Sequence, residues 1–402
     1  MRLTEEMQAP IRPAADLPAP TTLSAAEADT LAAETSGLKG AEALLDAAAL
    51  SQLLQREVTI THVRSKPGHS LVAAHTDSEG AAAWTMLTRD SVKFHNALER
   101  ATAYHAPLQV HRAEEPYLFS GSVWTDPQLA KELAEARAAL GQHVDWRVLR
   151  YNPRRRVVAA VRSGSTDKVV RVMAQGADHL LRTARLWRRQ GLPVTDMLPL
   201  GGRRSATIAA LWGVGDLSRL PHPPAAEAAG AAVAKLHALP AGALRRSAAP
   251  DPRAAAKGLG EVAPWTGRRA SRIAEELEVR LAALRPGRAA QIHGDLSPDQ
   301  VVVAAHRSHK IRLIDFDRTG SGPPMRDLGS WTAACRRDQQ PEMIDAFLTG
   351  YAAHAPLRFR DASAWEAYAH LAAAPDFFRR REPEWPARTV TALDLAEEAL
   401  TR

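Results

Sequence analysis

The 402-residue chain predicts a mixed α+β fold in which sheet dominates the first half and helix the second. Two observations carry this expectation. Short runs rich in Val, Thr and Ala, broken by Pro-containing turns, occur at 58–88 and again within 145–212, which is the pattern of antiparallel hairpins. From residue 224 onward, Ala-rich runs with apolar residues at helical spacing take over. A hydrophobic content of 45% with 24% charged residues is that of a globular protein, and the length calls for two or three packed units.

Residues 1–23, rich in Pro and Ala and without apolar periodicity, are expected to form a flexible leader. Helical signals run over 24–55. Strands are expected at 58–64, 71–76 and 83–88, the first two joined by Lys66-Pro67-Gly68, and a helix at 91–104. The same order returns 86 residues later, where Leu149-Arg150, Pro153 and Val158-Ala159-Ala160 match Val63-Arg64, Pro67 and Val72-Ala73-Ala74. Each set continues into a helix (91–104 or 177–190), a proline (Pro107 or Pro193) and another apolar segment (119–124 or 207–212). Segment 58–140 therefore reads as a degenerate copy of 145–212; the alternative is two unrelated sheets with common turn chemistry. The expected division is a leader at 1–23, an N-terminal α+β unit at 24–140, a small sheet lobe at 141–213 and a mainly helical unit at 214–402.

Net charge is +7, but only eight of the 52 basic residues are Lys and the Arg residues are spread throughout. This is a compositional bias rather than a focused basic stripe, and no nucleic-acid partner is expected. No apolar run approaches the roughly 18 residues of a membrane span. The first 20 residues include Glu5 and Glu6 and lack the apolar core of a secretory signal, and the single Cys335 leaves no intramolecular disulfide. The expected location is the cytoplasm, with no membrane partner. No Gly-x-Ser-x-Gly elbow, no Gly-Lys-Ser/Thr phosphate loop and no Cys/His metal cluster occurs, so hydrolase and metalloenzyme readings are dropped.

The chemistry is expected at Ile292-His293-Gly294-Asp295-Leu296-Ser297-Pro298-Asp299-Gln300 and at Ile311-Arg312-Leu313-Ile314-Asp315-Phe316-Asp317. Two acid-bearing loops abut short apolar strands. Phosphoryl transfer needs one carboxylate to orient the acceptor hydroxyl, and a second carboxylate with a side-chain carbonyl to hold Mg²⁺ on the nucleotide phosphates. Asp295, Asp315 and Gln300 supply those groups.

These segments resemble the aminoglycoside phosphotransferase and choline kinase superfamily, whose catalytic loop reads His-Gly-Asp, four variable residues, then Asn. The resemblance covers roughly 145–402 and is anchored at 169–173, 211–217, Leu236-His237, 293–300, and 314–317 with Asp327-Leu328. It implies a bilobal protein-kinase-like fold, ATP and Mg²⁺ as cofactors, Asp295 as catalytic base and Asp315 as the main metal ligand. Gln300 stands where most members carry Asn, a departure shared with the maltokinase and glucosamine-kinase branch. The tail Asp376-Phe377-Phe378-Arg379-Arg380-Arg381 with Pro383-Glu384-Trp385-Pro386 resembles actinobacterial members of that branch. Asp317 is a second metal-ligand candidate, the alternative being a loop or cap residue. Asp327 is expected to brace the catalytic loop or to cap a helix, and His293 to position the loop through its ring.

On the nucleotide side, strand alternation places Val169 and Arg171 on one face, with Arg171 at the position where the superfamily carries a phosphate-binding Lys. The helix at 177–190 lacks the Glu that usually pairs with that cation; Asp178 is its only acid. Asn152-Pro153-Arg154-Arg155 replaces a Gly-rich turn, so Arg154 and Arg155 are candidates for phosphate contact, solvent exposure being the alternative. The connection Ala210-Leu211-Trp212-Gly213 is expected to hold adenine, with Trp212 either stacking or packing in the core.

The leading expectation is thus a kinase acting on a hydroxyl of a sugar, amino sugar or related polyol, with Glu366, Asp376, Glu382 and Glu384 either meeting an amino sugar or pairing with nearby arginines. The alternatives are a Ser/Thr kinase of precursor peptides, with segment 58–140 binding the peptide by strand addition, and a pseudokinase or binding module. Intact Asp295 and Asp315 argue against the last.

Overall fold

The computed structural model describes residues 23–104, 107–141, 144–163, 166–202, 204–284 and 287–402; apart from Leu23, the expected leader lies outside them. The helical stretch at 24–55 is two helices, α1 (Ala25–Ser36) and α2 (Ala47–Leu54). Ser24 and Glu27 form a capping box on α1, Gly37 in the left-handed region ends it, and the Asp46 carboxylate caps α2.

A first sheet is built from β1 (Val58–Lys66), β2 (Ser70–Asp77), β3 (Ala82–Thr88), β4 (Gln109–Arg112) and β5 (Tyr117–Ser122), with α3 (Ser91–Ala103) between β3 and β4. Its spatial order is β1-β2-β3-β5-β4. After α4 (Ala130–Leu140) comes a second sheet of β6 (Trp146–Asn152), β7 (Arg156–Ser163), β8 (Thr166–Met173), β9 (Leu198–Leu200) and β10 (Ala206–Ala210). Its order is β6-β7-β8-β10-β9, with α5 (Asp178–Arg189) inserted at the same point. The two sheets therefore share one strand plan, and every strand pairing in both is antiparallel.

The sheets stack on each other. Val72, Trp84, Met86 and Phe119 from the first share one apolar cluster with Val157, Ala159, Val170 and Val172 from the second. The other face of the first sheet, with Val63, Leu71, Ala73 and Leu87, packs on α1, α2 and helices of the C-terminal unit. Because both faces are covered, β3 is buried along its whole length rather than at alternate residues.

The C-terminal unit comprises β11 (Gly215–Asp216), α6 (Pro223–Ala238), α7 (Pro252–Gly260), α8 (Gly267–Ala283), β12 (Ala290–Ile292), β13 (Val301–Val303), β14 (Ile311–Leu313), β15 (Gly320–Gly322), α9 (Met325–Arg337), α10 (Pro341–Ala352), α11 (Phe359–Arg379) and α12 (Trp385–Thr401). A short sheet β11-β13-β14 and the pair β12-β15 carry the acid-bearing loops at their ends. Beneath them α6 and α10 approach backbone to backbone. A Cβ on Gly350 would stand 1.9 Å from the Glu227 carbonyl, and one on Gly230 2.0 Å from that of Phe347, so the crossing admits no side chain at either place. Among the described residues no helix is long and apolar enough to cross a membrane.

Candidate active site

The loop after β12 is fixed by one buried carboxylate. Asp327, in the first turn of α9 and fully buried, accepts the backbone N–H of His293 (2.7 Å) and of Gly294 (2.8 Å) and the His237 ring at 3.1 Å. Burial alone would raise its carboxyl, but the hydrogen bond and charge of His237 and the nearby His293 outweigh it and leave the group below its ordinary range. His237 is itself held by the Tyr351 hydroxyl at 2.9 Å. The His293 ring turns to the other loop, its Nε2 meeting the Ile314 carbonyl at 2.8 Å. Gly294 takes φ 83°, and a Cβ there would lie 2.3 Å from the Arg318 carbonyl; the middle residue of His-Gly-Asp is glycine because two loops touch at that point.

Asp295 emerges from this clamp with half of its side-chain surface open to the cleft, and its Oδ1 accepts from Arg318 Nη1 at 2.9 Å. The enclosing protein raises its carboxyl above the usual carboxylate range, aided by Asp315 and Asp299, while Arg318 opposes the rise. Gln300 ends a 3₁₀ turn, is buried, and links the two loops through its backbone carbonyl, which accepts Ile314 N–H at 3.0 Å.

Asp315 adopts a left-handed backbone (φ 63°, ψ 59°), uncommon for a residue with a side chain. It faces two cations. Arg171 Nη2 lies 2.8 Å from Asp315 and 2.7 Å from Asp317, and Arg156 Nη1 lies 3.2 Å from Asp315 and 2.5 Å from Asp317. Although burial works against ionisation, Arg171 and Arg156 hold the Asp315 carboxyl well below the usual range. The second oxygen of Asp317 is buried without a hydrogen-bond partner. The Asp315 and Asp317 carboxylates meet at one point through their shared arginines, and carboxylate oxygens suit a hard cation such as Mg²⁺; among the described residues no group of three or more His, Cys, Asp or Glu is arranged to hold a metal.

The turn between β6 and β7 departs from expectation. Arg154 sits at φ 63°, donates its backbone N–H to Asp126 at 2.6 Å, and points its guanidinium at the Met86 sulfur, 3.5 Å away in the first sheet. Its side chain is directed away from the acids. Arg155 is exposed at the turn, and it is Arg156, the first residue of β7, that reaches Asp315 and Asp317. Val169 and Arg171 share the cleft face of β8, as alternation requires. The helix facing them, α5, supplies no acid to Arg171; its His179 instead bonds the Thr319 carbonyl at 3.0 Å.

The connection after β10 is partly committed. Ala210 pairs in the ladder with Lys168, and Leu211 donates to the Asp167 carbonyl at 2.9 Å with its side chain exposed. The N–H groups of Trp212 and Gly213 have no intramolecular partner among the described residues. The Trp212 ring is covered by the Arg312 guanidinium, 4.5 Å from its centroid, so one ring face is already occupied. Of the acids proposed to meet an amino sugar, Glu366 is buried against Arg336 (2.9 Å) and Arg402 (2.7 Å), Asp376 pairs with Arg379 at 2.9 Å, and Glu382 pairs with Arg388. Glu384 is exposed. Arg156, Arg318 and Asp126 were not among the expected site residues; 154–156 read as a solvated face. Their signal is a charged residue flanking a turn or motif, which is uninformative until the turn's direction is known.

The sequence pattern of the phosphotransferase enzyme family matches residues 146–371, and no curated protein matches the chain. Among solved structures, a spectinomycin phosphotransferase in complex with ADP and spectinomycin superposes with a TM-score of 0.50 at 13% identity, covering 64% of this chain and 92% of that one. A choline kinase from Streptococcus pneumoniae superposes with a TM-score of 0.50 at 15% identity, covering 68% and 99%. At this identity they establish a shared α+β protein-kinase-like fold. With the family pattern spanning more than half of the chain, the protein belongs to the phosphotransferase enzyme family, within the superfamily of aminoglycoside phosphotransferases and choline kinases, and is a kinase.

Proposed function

We propose that the protein transfers the γ-phosphoryl group of ATP to a hydroxyl of a small polyol, a sugar or amino sugar, with Mg²⁺ as the metal, in the cytoplasm. The observation that carries this reading is the convergence of Asp295, Asp315, Asp317, Arg156 and Arg171 at the junction of the second sheet and the C-terminal unit. Asp295 orients the acceptor hydroxyl and accepts its proton as the bond to phosphorus forms. Arg171 and Arg156 offer forked donors to the phosphate oxygens once these displace the Asp contacts. Asp315, Gln300 and Asp317 would hold Mg²⁺, which would supply neutralisation of charge on the phosphates. No phosphoenzyme is needed. The carboxylates of Glu366, Asp376 and Glu382 are already paired with arginines, which favours a neutral sugar over a polycationic aminoglycoside.

The test is ADP release from Mg·ATP with glucosamine, maltose, aminoglycosides, choline and Ser/Thr peptides as acceptors, compared with Asp295→Asn. Expected is turnover on a sugar that drops by roughly 10²–10⁴-fold in the variant while nucleotide affinity is nearly unchanged. Acceptor-dependent ADP release that survives Asp295→Asn would refute the assignment.

A further inference from the structure

We infer that Asp126 is a positioning residue for the nucleotide phosphates, and that the unit carrying it is a second lobe of the same plan that grips the catalytic lobe where a nucleotide would otherwise lie. The inference rests on the proposed nucleotide site.

The two sheets correspond row by row. Val158, Arg171 and Thr207 stand directly opposite one another on β7, β8 and β10; the same row of the first sheet is Val72, Met86 and Phe119. The correspondence continues past the fifth strand in sequence. Asp126 and Asp216 build the same turn: their Oδ1 atoms accept the N–H two residues on (Gln128 at 2.9 Å, Ser218 at 3.1 Å), and their carbonyls accept Leu129 at 2.9 Å and Arg219 at 3.2 Å. A helix follows in each case, α4 or α6.

What differs is the face that bears Arg171 in the second sheet. In the first it carries Met86 instead of a cation, and it is filled by Val157, Ala159, Val170 and Val172 from the back of the second sheet. That face, packed against the second sheet, has no room for a nucleotide. It holds the β6–β7 turn instead, at two points. The Asp126 carboxylate, 1% exposed, takes the Arg154 N–H at 2.6 Å and the Tyr151 hydroxyl at 2.7 Å, and Arg64 Nη1 donates to the Pro153 carbonyl at 2.8 Å; the Arg154 guanidinium only rests on the Met86 sulfur, a weak acceptor 3.5 Å away. In kinase lobes this turn is glycine-rich and offers its N–H groups to phosphate. Here a carboxylate from the neighbouring unit takes that place, holds Arg154 at a left-handed φ that its side chain disfavours, and sets the direction in which Arg156 leaves the turn toward Asp315 and Asp317. Asp126 thus acts on phosphate through Arg156, not on adenine.

The experiment is calorimetric titration of the full chain with Mg·ATP and, separately, with adenosine, for wild type, Asp126→Asn and Arg154→Gly. An amide at 126 cannot satisfy all three donors, whereas glycine at 154 keeps the N–H and suits the left-handed turn. Expected is a rise in the ATP dissociation constant of roughly tenfold in Asp126→Asn, with adenosine shifted less than about twofold, and neither ligand affected in Arg154→Gly. Equal weakening of both ligands, or of neither, would reduce Asp126 to a structural residue. Loss of ATP affinity in Arg154→Gly would assign the effect to that side chain and overturn the inference. If Asp126→Asn does not fold, Arg64→Met removes the second grip, and a selective loss of ATP over adenosine is again required. A wild type that binds no ATP overturns the nucleotide reading itself, and this inference with it.

Discussion

Replacing Asp327 by Asn tests whether the catalytic loop is held by one buried carboxylate. The carboxylate accepts three hydrogen bonds, from His293 N–H, Gly294 N–H and the His237 ring, two on Oδ2 and one on Oδ1. An amide can offer its oxygen to only one side; on the other its NH₂ faces a backbone N–H at 2.7–2.8 Å. One buried N–H is then left without an acceptor, about 1–3 kcal/mol, and the remaining bonds lose their ionic character, about 1 kcal/mol each. The expected loss is roughly 3–5 kcal/mol. Urea unfolding followed by tryptophan fluorescence reads it, since the buried Trp331 lies on the same helix as Asp327. The loop that loses its clamp also carries Asp295, and a displacement of about 1 Å costs on the order of 10²-fold in kcat. The acid limb changes too. The wild-type carboxyl lies below its ordinary 3.8 in the fold, so its contribution is present above that value and lost as pH falls through the folded one; Asp327→Asn lacks this component and its stability falls less steeply with acid. A variant that loses less than about 1 kcal/mol and keeps kcat within threefold would show that Asp327 does not set the loop.

Arg318 stabilises the ionised form of Asp295, so Arg318→Ala should raise the pKa of the acid limb of the kcat/KM profile, with activity lost at a higher pH than in wild type; an unmoved or lowered limb would separate Arg318 from the base. Arg156→Ala removes one of the two cations facing Asp315 and Asp317, and should weaken ATP binding by roughly tenfold or more, read by calorimetry. Gly350→Ala places a methyl 1.9 Å from the Glu227 carbonyl, and the forced separation of α6 and α10 should cost at least about 3 kcal/mol in denaturant unfolding, the upper end of ordinary overpacking.

Legibility followed locality. The strands of both hairpin sets, the helices after them and the acid-bearing loops were readable because alternation, turn residues and His-Gly-Asp are short-range patterns; β1, β2, β3 and α3 differ from expectation by one to two residues at their ends. Arg171 could be expected in the cleft because alternation along β8 puts it on one face with Val169 and the resemblance implies a phosphate-binding cation at that position. Arg154 could not. Its direction depends on a positive φ held by Asp126, a carboxylate 28 residues upstream in the turn that follows β5, and nothing near Pro153 announces that contact. Helix α4 and the short strands β4 and β9 were missed for a related reason. They are defined by packing on neighbouring elements, and β9 is only three residues long.

The acid absent from α5 finds its explanation in the same contacts. A kinase lobe ordinarily steadies its phosphate-binding cation with a helix Glu, which leaves the metal acids free for the metal. Here Arg171 is steadied by Asp315 and Asp317, and a second arginine joins them. Two guanidinium groups and two carboxylates balance one another, so the charges of the second sheet and the C-terminal unit are joined directly across the cleft. On the proposed function, a phosphate chain with its cation would displace this arrangement without a net change of pairing, phosphate oxygens taking the arginines and the cation the carboxylates. Ligand affinity would then be a difference between two sets of ion pairs rather than the gain of a new one. The choice of Arg over Lys at 171 follows: Nη2 alone lies within hydrogen-bond distance of both Asp315 and Asp317, and the guanidinium keeps further N–H donors for phosphate.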